Sequence, residues 1–323
     1  MFKRFWRSAG FAAVLATVTS CAFAQGAYPN RFITVVLPFA AGGASDIMTR
    51  FVGDYVKQKL GQSVIAENRP GASGNLGAES VFRAAPDGYT LLTAPQLTFS
   101  VNHLLNPSLR FDPQKFEPVS VLATYPFVLF ARADLPANTL AELIDYAKAN
   151  PGKLNYASQG IGQMGHLAME AIKLRENLDI VHVPYRGTTP ALTDLTAGHV
   201  DLLIDSMIAA APHVQSGTIK MIAVGGKSRM PAYPNVATFA ERLPGLYFNT
   251  WMAIAAPPGT PKAITQLLST AVAEALKTSE AKDLFKTLQV DPFGSTPEEM
   301  RSLIKESYEA WAPVITKTGI TTE

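Results

Sequence analysis

Twice along this chain an apolar run breaks into a short loop of small residues and then into a helix. The first run covers residues 33–39 and is followed by Ala40-Ala41-Gly42-Gly43-Ala44, with an amphipathic helix over 45–60 that stops at Gly61. The second covers 154–157 and is followed by Ser158-Gln159-Gly160-Ile161-Gly162-Gln163, with a helix opening at Met164-Gly165-His166. Such a hand-over is the corner of a layered α/β fold, in which nearly continuous apolar strands are buried on both faces. Small residues at the corner let backbone N–H groups face an anion with no side chain in the way. The two corners are more than a hundred residues apart. Two such loops facing each other across a cleft are able to hold a small carboxylate from both sides.

The rest of the chain repeats the alternation. A short strand at 64–66, the loop Glu67-Asn68-Arg69-Pro70-Gly71, a helix over 75–84, the turn Asp87-Gly88 and a strand at 89–93 complete a βαβαβ unit. An apolar run at 119–131, broken by Pro126, reads as a strand crossing between domains. The pattern then begins again. Thr139-Leu140-Ala141-Glu142 is a capping box for a helix reaching Asn150, and strands follow at 154–157, 180–184, 202–204 and 219–224. A run at 251–256 reads as a second crossing back to the first domain. Thr189-Pro190, Thr260-Pro261 and Thr296-Pro297 each place a capping hydroxyl before a proline at the first helical position. The last also has Glu299, and its helix turns Met300, Leu303, Ile304 and Trp311 inward until Pro313. No fixed-period repeat or low-complexity tract is present.

The first 24 residues read as an export signal. Lys3, Arg4 and Arg7 precede an apolar stretch at 9–18, and Ala22-Phe23-Ala24 gives a small-x-small cleavage site with Gln25 as the mature start. Cys21, after Val18-Thr19-Ser20, offers lipidation as the alternative. Cleavage leaves 25 basic residues against 26 acidic, a net of −1 in place of +2, which points away from nucleic acid or an anionic membrane as partner. It also removes the one cysteine, and with it any disulfide, thiol nucleophile or cysteine metal ligand. At 323 residues, 47% of them hydrophobic, the chain supports about two domains with real cores and does not need a disulfide.

Several motifs carry chemistry elsewhere. Gly160-Ile161-Gly162-Gln163-Met164-Gly165 matches the dinucleotide fingerprint, and Arg186 at the end of the next strand suits a phosphorylated ribose. Export sets that reading behind compact anion binding by the same N–H groups. His103, His166, His182, His199 and His213 form no local ligand pair, so no metal is expected. His166, in the first turn after the glycine loop, either packs there or borders the ligand and fixes the loop. No Gly-x-Ser-x-Gly elbow exists, and Ser302-Leu303-Ile304-Lys305 with Lys317-Thr318-Gly319 is an accidental match to penicillin-recognising enzymes. Asp46 and Asp205 both follow apolar strands. As a paired general acid and base they would need a partner nucleophile or labile substrate, which nothing in the sequence identifies, and Asp46 suits stabilising its own helix N-terminus.

At these residues the chain resembles the periplasmic solute receptors of tripartite tricarboxylate transporters, also called Bordetella uptake gene proteins. The matching segments run in order. They are Val36-Leu37-Pro38-Phe39-Ala40-Ala41-Gly42-Gly43 with Asp46, Glu67 to Ala72, Pro86-Asp87-Gly88-Tyr89-Thr90-Leu91-Leu92 and Pro151-Gly152-Lys153-Leu154. Beyond them come His182-Val183-Pro184-Tyr185-Arg186-Gly187, Pro190-Ala191-Leu192, Asp205, Pro212-His213 and Ala256-Pro257-Pro258-Gly259-Thr260-Pro261. The resemblance implies an α/β fold of the periplasmic-binding-protein type. Its two lobes are each a mostly parallel sheet with flanking helices, joined by two crossing strands. The expected division is a signal peptide at 1–24, one lobe from 25–122 with 255–323, and the other from 123–254.

The same resemblance implies a pocket formed by the loop after the first strand, the glycine loop of the second lobe and the Pro-Tyr-Lys-Gly turn. Carried over, these are Phe39, Ala41, Gly42 and Gly43; Ser158, Gly160, Gly162, Gln163 and His166; and Tyr185, Arg186 and Thr188, with Asp205 on a later strand. Gln96, at the end of the third strand, joins them as a residue able to reach the cleft. Two positions depart from the family pattern. Gln163-Met164 stands where a small hydroxyl residue is usual, and Arg186 stands in place of lysine. The expectation is a periplasmic, monomeric, non-enzymatic receptor without cofactor. It binds a small carboxylate and passes it to membrane transporter subunits. A sensor's ligand-binding partner and an exported hydrolase are the alternatives.

Overall fold

A computed structural model describes residues 28–39 and 41–322. The export signal, its cleavage site at Ala24 and Gln25, and Cys21 lie outside the described residues. The first half contains β1 (Ile33–Leu37), α1 (Ala44–Leu60), β2 (Val64–Asn68), α2 (Asn75–Phe82), β3 (Thr90–Pro95), α3 (Gln96–Ser100) and α4 (Asn102–Leu105). A long strand, β4 (Glu117–Arg132), leads to the second half. There the order is α5 (Leu140–Ala149), β5 (Asn155–Ser158), α6 (Met164–Glu176), β6 (Val181–Pro184), α7 (Thr188–Ala197), β7 (Leu202–Ser206), α8 (Met207–Gln215), β8 (Ile219–Val224) and α9 (Phe239–Arg242). The chain returns through β9 (Asn249–Ala256), α10 (Lys262–Lys277), α11 (Ser279–Thr287), β10 (Asp291–Pro292) and α12 (Pro297–Thr318).

The strands form one curled sheet in the order β2-β1-β3-β9-β4-β7-β5-β6, with β8 and β10 also paired to β4. β1 runs parallel to β2 and β3, and β5 runs parallel to β6 and β7, so each lobe has the parallel core that its buried apolar strands require. β4 belongs to both lobes. Its first part pairs with β9 as far as Pro126, and from Phe127 onward it pairs with β7 and β8. Pro126 therefore sits where β4 changes partners, the place in a central strand where a missing N–H costs least. The return crossing starts two residues earlier than the sequence suggests, at Asn249, just after Phe248. Phe127 N donates to Phe248 O (2.8 Å), and Gly225 exchanges bonds with both strands. A Cβ on Gly225 would lie 2.5 Å from Phe248 O and 2.8 Å from Phe127 O, so only glycine lets the three backbones meet.

Each lobe packs helices on both sheet faces. In the first lobe α1 and α10 cover one face through Met48, Val52, Leu268 and Val272, while α2 and α3 cover the other through Ala78, Val81 and Phe99. In the second, α6 and α7 do the same with Leu167, Ile172, Leu192 and Leu195. α12 reaches into two cores: Met300 packs in the first lobe, and Trp311 and Ile315 pack in the second.

Of the three Thr-Pro starts, Thr296 caps α12 in a full box with Glu299. The other two behave differently. α7 starts one residue before Thr189, from Gly187, and Thr260 turns its hydroxyl back to Pro257 O (2.8 Å) while α10 starts after Pro261. Thr139 accepts from Glu142 N, but Glu142 returns its bond to Asn138 N, so only half of that box forms. Pro313 lies inside α12 and does not end it.

Candidate ligand-binding site

The loop after β1 is shaped from beneath by Asp46, which is 5% exposed. Its carboxylate accepts from Gly42 N (3.1 Å), Arg50 Nε (3.0 Å) and Asn68 Nδ2 (3.2 Å), and Asn68 also donates to Phe39 O. The Arg50 guanidinium holds Asp46 below the usual carboxylate range, against the opposing effect of burial. This knot ties the loop to the end of β2 and fixes Gly42 at φ +86°. Gly42 spends its N–H inside the loop. Gly43 is the N-cap of α1, with no side chain capping the helix. A Cβ on either glycine meets no protein atom within 4 Å.

The second loop is shaped by neutral groups. Gly160 N donates to Ser158 Oγ (3.2 Å), and Gly162 N donates to His166 Nδ1 (3.0 Å). The Ser158 hydroxyl meets His182 Nε2 at 2.7 Å. Behind it lies a ring stack: His166 on His182 with centroids 3.9 Å apart, and His182 on Tyr156 at 4.7 Å. The Tyr156 hydroxyl donates to Glu170, which Lys173 also holds. Burial lowers both histidines, His182 to about 4, so both are neutral at pH 7 and His166 Nδ1 is free to accept. Of the two readings of His166, fixing the loop is the one its position matches. It is buried and spends Nδ1 on Gly162, as Ser158 spends its hydroxyl under Gly160.

The loops meet over a chamber of about 320 Å³ between the lobes. Phe39, Gly162, Gln163, Thr188 and Asp205, all candidates from sequence, line it. It opens into a wider mouth of about 750 Å³, where Gly160, Tyr185 and Arg186 stand with Phe39, Gln163 and Thr188. Tyr185 donates to Asp194, and Arg186 is exposed at the rim. Ala41, Gly42, Gly43, Ser158 and His166 line neither space. Gln96 turns away. It is buried against α12 with Nε2 donating to Ser307 Oγ at 2.8 Å.

Asp205 is 4% exposed and accepts from Thr188 Oγ1 (2.6 Å) and Ser206 N (2.7 Å). Burial pushes its carboxyl up, and these hydrogen bonds oppose the shift. Tyr125 lies beside it in the chamber, its phenol raised by burial and by the Asp205 charge. The chamber also takes Tyr125 and Phe127 from β4, Thr250 and Met252 from β9, and Ser45 and Ser206 from the starts of α1 and α8, none of them expected from sequence. The two-residue period of a strand places 125 with 127 and 250 with 252 on shared faces. What the sequence did not show was that these faces close the chamber floor.

Most of the longer helix starts fall into two groups. α1, α2, α6, α7 and α8 begin at the chamber or its mouth, through residues such as Ala44, Asn75, Met164, Thr188 and Ile208, and none has a side-chain cap. α5, α9, α11 and α12 begin elsewhere and are capped by Thr139, Thr238, Thr278 and Thr296. α10 is uncapped at Pro261 and lies outside the chamber lining. In α6 the Gly165 N–H donates to Gln159 Oε1 (3.3 Å), but helix starts without a capping side chain, and the positive ends of their dipoles, gather at the chamber, which suits an anion. Among the described residues no cluster of His, Cys, Asp and Glu fit for a metal is present.

Two α/β lobes closing on a chamber at the carboxyl ends of their parallel strands define a periplasmic-binding-protein fold. The chain belongs to the tripartite tricarboxylate transporter receptor family, whose model matches residues 48–320. It is 34% identical to protein BugT of Bordetella pertussis over 295 residues, 90% of each chain. An R. palustris protein solved with adipate is 33% identical with a TM-score of 0.81, covering 91% of this chain and 99% of that one. MatC of Rhodopseudomonas palustris, solved with bound malate, is 34% identical with a TM-score of 0.77, covering 89% and 100%. Like these relatives, the chain is a solute-binding receptor. Among the described residues no helix is long and apolar enough to cross a membrane.

Proposed function

We propose that this receptor is exported to the periplasm, binds a small carboxylated solute in the chamber between its lobes and delivers it to a tripartite membrane transporter. It performs no chemistry on the solute. The observation that carries the reading is the gathering of uncapped helix N-termini at the chamber, while four helices that start elsewhere carry their own threonine caps. The relatives solved with adipate and malate support the same ligand class. The mature chain starts at Gln25 and is a monomer, and residues 25–122 with 255–323 move against 123–254 as the cleft closes.

A thermal-shift panel of carboxylic acids, each paired with its uncharged primary amide, tests the ligand class. A true ligand at about 100 times its Kd adds ~2.7 kcal/mol to stability. The acid is expected to raise the melting temperature and its amide to leave it unchanged. Equal shifts from acid and amide contradict the reading, because helix N-termini read charge.

A further inference from the structure

The ionisable lining of the inner chamber is lopsided. Among the described residues it consists of the Asp205 carboxyl and the Tyr125 phenol, with no lysine, arginine or histidine. Arg186 is the one cation lining the mouth, and it is exposed there. The helix N-termini offset the charge of one carboxylate. A second carboxylate inside the chamber would lose its water beside the buried Asp205 and meet no counter-charge.

The rest of the lining is flat and polarizable. Phe39, Tyr125 and Phe127 supply rings, the latter two stacked at 6.4 Å and 21°, and Met48, Met164 and Met252 supply thioethers. Rings and methionine sulfur both favour an aromatic guest. The volume of about 320 Å³ is at the small end for ligand sites, enough for one substituted ring. The Asp205 carboxyl accepts from Thr188 Oγ1 and Ser206 N, with the Gln159 and Ser206 side chains also beside it, and as an acceptor it favours a hydroxyl donor over a second carboxylate.

We infer that the chamber takes an aromatic acid with a single carboxylate, on a ring that carries a hydroxyl more readily than a second acid group. This rests on the carboxylate-receptor reading above and narrows it. Isothermal titration of the full mature chain, stripped of any co-purified solute, compares 4-hydroxybenzoate with terephthalate, adipate and malate at pH 7. These probes separate ring from chain and one charge from two. The expected result is that 4-hydroxybenzoate binds at least tenfold more tightly than the other three. Phe39→Leu, on the half-buried loop, is expected to reduce that affinity at least fivefold.

Tighter binding of malate or adipate overturns the inference and leaves the carboxylate reading standing. Tight binding of terephthalate that is lost in Arg186→Ala also overturns it, and assigns the mouth cation to a second carboxylate. Unchanged 4-hydroxybenzoate affinity in folded Phe39→Leu removes the ring contact and overturns it as well. Failure of every acid to bind the folded protein contradicts both this inference and the reading beneath it.

Discussion

The two glycine loops are alike in sequence and unlike in what holds them. The loop after β1 rests on a charged knot, with Asp46 joined to Gly42 N, Arg50 and Asn68. The loop after β5 rests on neutral groups: buried Ser158 and His166, and half-buried His182 stacked on Tyr156. A Cβ at Gly43 meets no protein atom, whereas one at Gly162 lies 2.8 Å from Thr322 Cγ2 at φ +73°. One loop presents open helix-start backbone to the cleft. The other is packed between its own lobe and the C-terminal tail. A glycine signature therefore marks a corner without saying what supports it.

The largest effect that separates the loops is expected from Asp46→Ala. It removes the acceptor of Gly42 N–H and one of the two acceptors of the Asn68 amide, which keeps Phe39 O, and should lower unfolding free energy by about 1–3 kcal/mol. Arg50 is half exposed, so its ion pair adds little to that figure. Urea unfolding checks it. A midpoint unchanged from the parent would mean that the knot does not hold the first loop.

Acid should act on the opposite loop. His182 has a folded pKa of about 4, below the 6.5 of an unfolded histidine. Between those values the unfolded chain binds more protons, so stability falls as pH drops from about 6.5 to 4, by ~1–3 kcal/mol. Its charged neighbourhood is Glu170 and Lys173 on α6, with His166 stacked on it. Asp46 runs the other way. Its folded pKa is depressed, so its contribution is complete above about pH 4 and is lost only below that. Hydrogen exchange at pH 7 and pH 5 is expected to show faster opening of β5 and α6 with α1 little changed. Equal loosening of both loops would erase the distinction.

The smallest effect is expected at Arg186. It stands exposed at the mouth, outside the inner chamber. Arg186→Ala should change affinity for a monocarboxylate by less than about threefold, since rim charges act chiefly on association rate. Stopped-flow binding at two salt concentrations separates rate from affinity. A tenfold loss in affinity would place the carboxylate at the rim.

Much of this was legible because it is local. Strand runs, the αL stop at Gly61 and the capping box at Thr296 are set by neighbours in sequence, and they stand where the pattern places them. The Thr189 and Thr260 caps were misread because Gly187 and the Pro257 carbonyl, not the Thr-Pro pair, govern those turns. The chamber floor of Tyr125, Phe127, Thr250 and Met252 was not legible. Which face of a crossing strand meets a cavity depends on how the lobes pack. Gln96 was expected near the cleft, but the arrival of Ser307 on α12 turns it inward. No local signal announces that one C-terminal helix will place Met300 in one core and Trp311 in another.

The central claim is that open backbone at helix starts, not a charged side chain, captures the carboxylate. Isothermal titration of the parent and Gly43→Val with the best acid from the panel tests it most directly. Gly43 has φ −77° and open space around its Cβ position, so the valine introduces no backbone strain, and circular dichroism should show an unchanged fold. The account predicts at least a tenfold loss of affinity, about 1.4 kcal/mol, because a β-branched side chain then stands at the start of α1 beside the chamber. Parent-like affinity in well-folded Gly43→Val contradicts it and puts the carboxylate elsewhere.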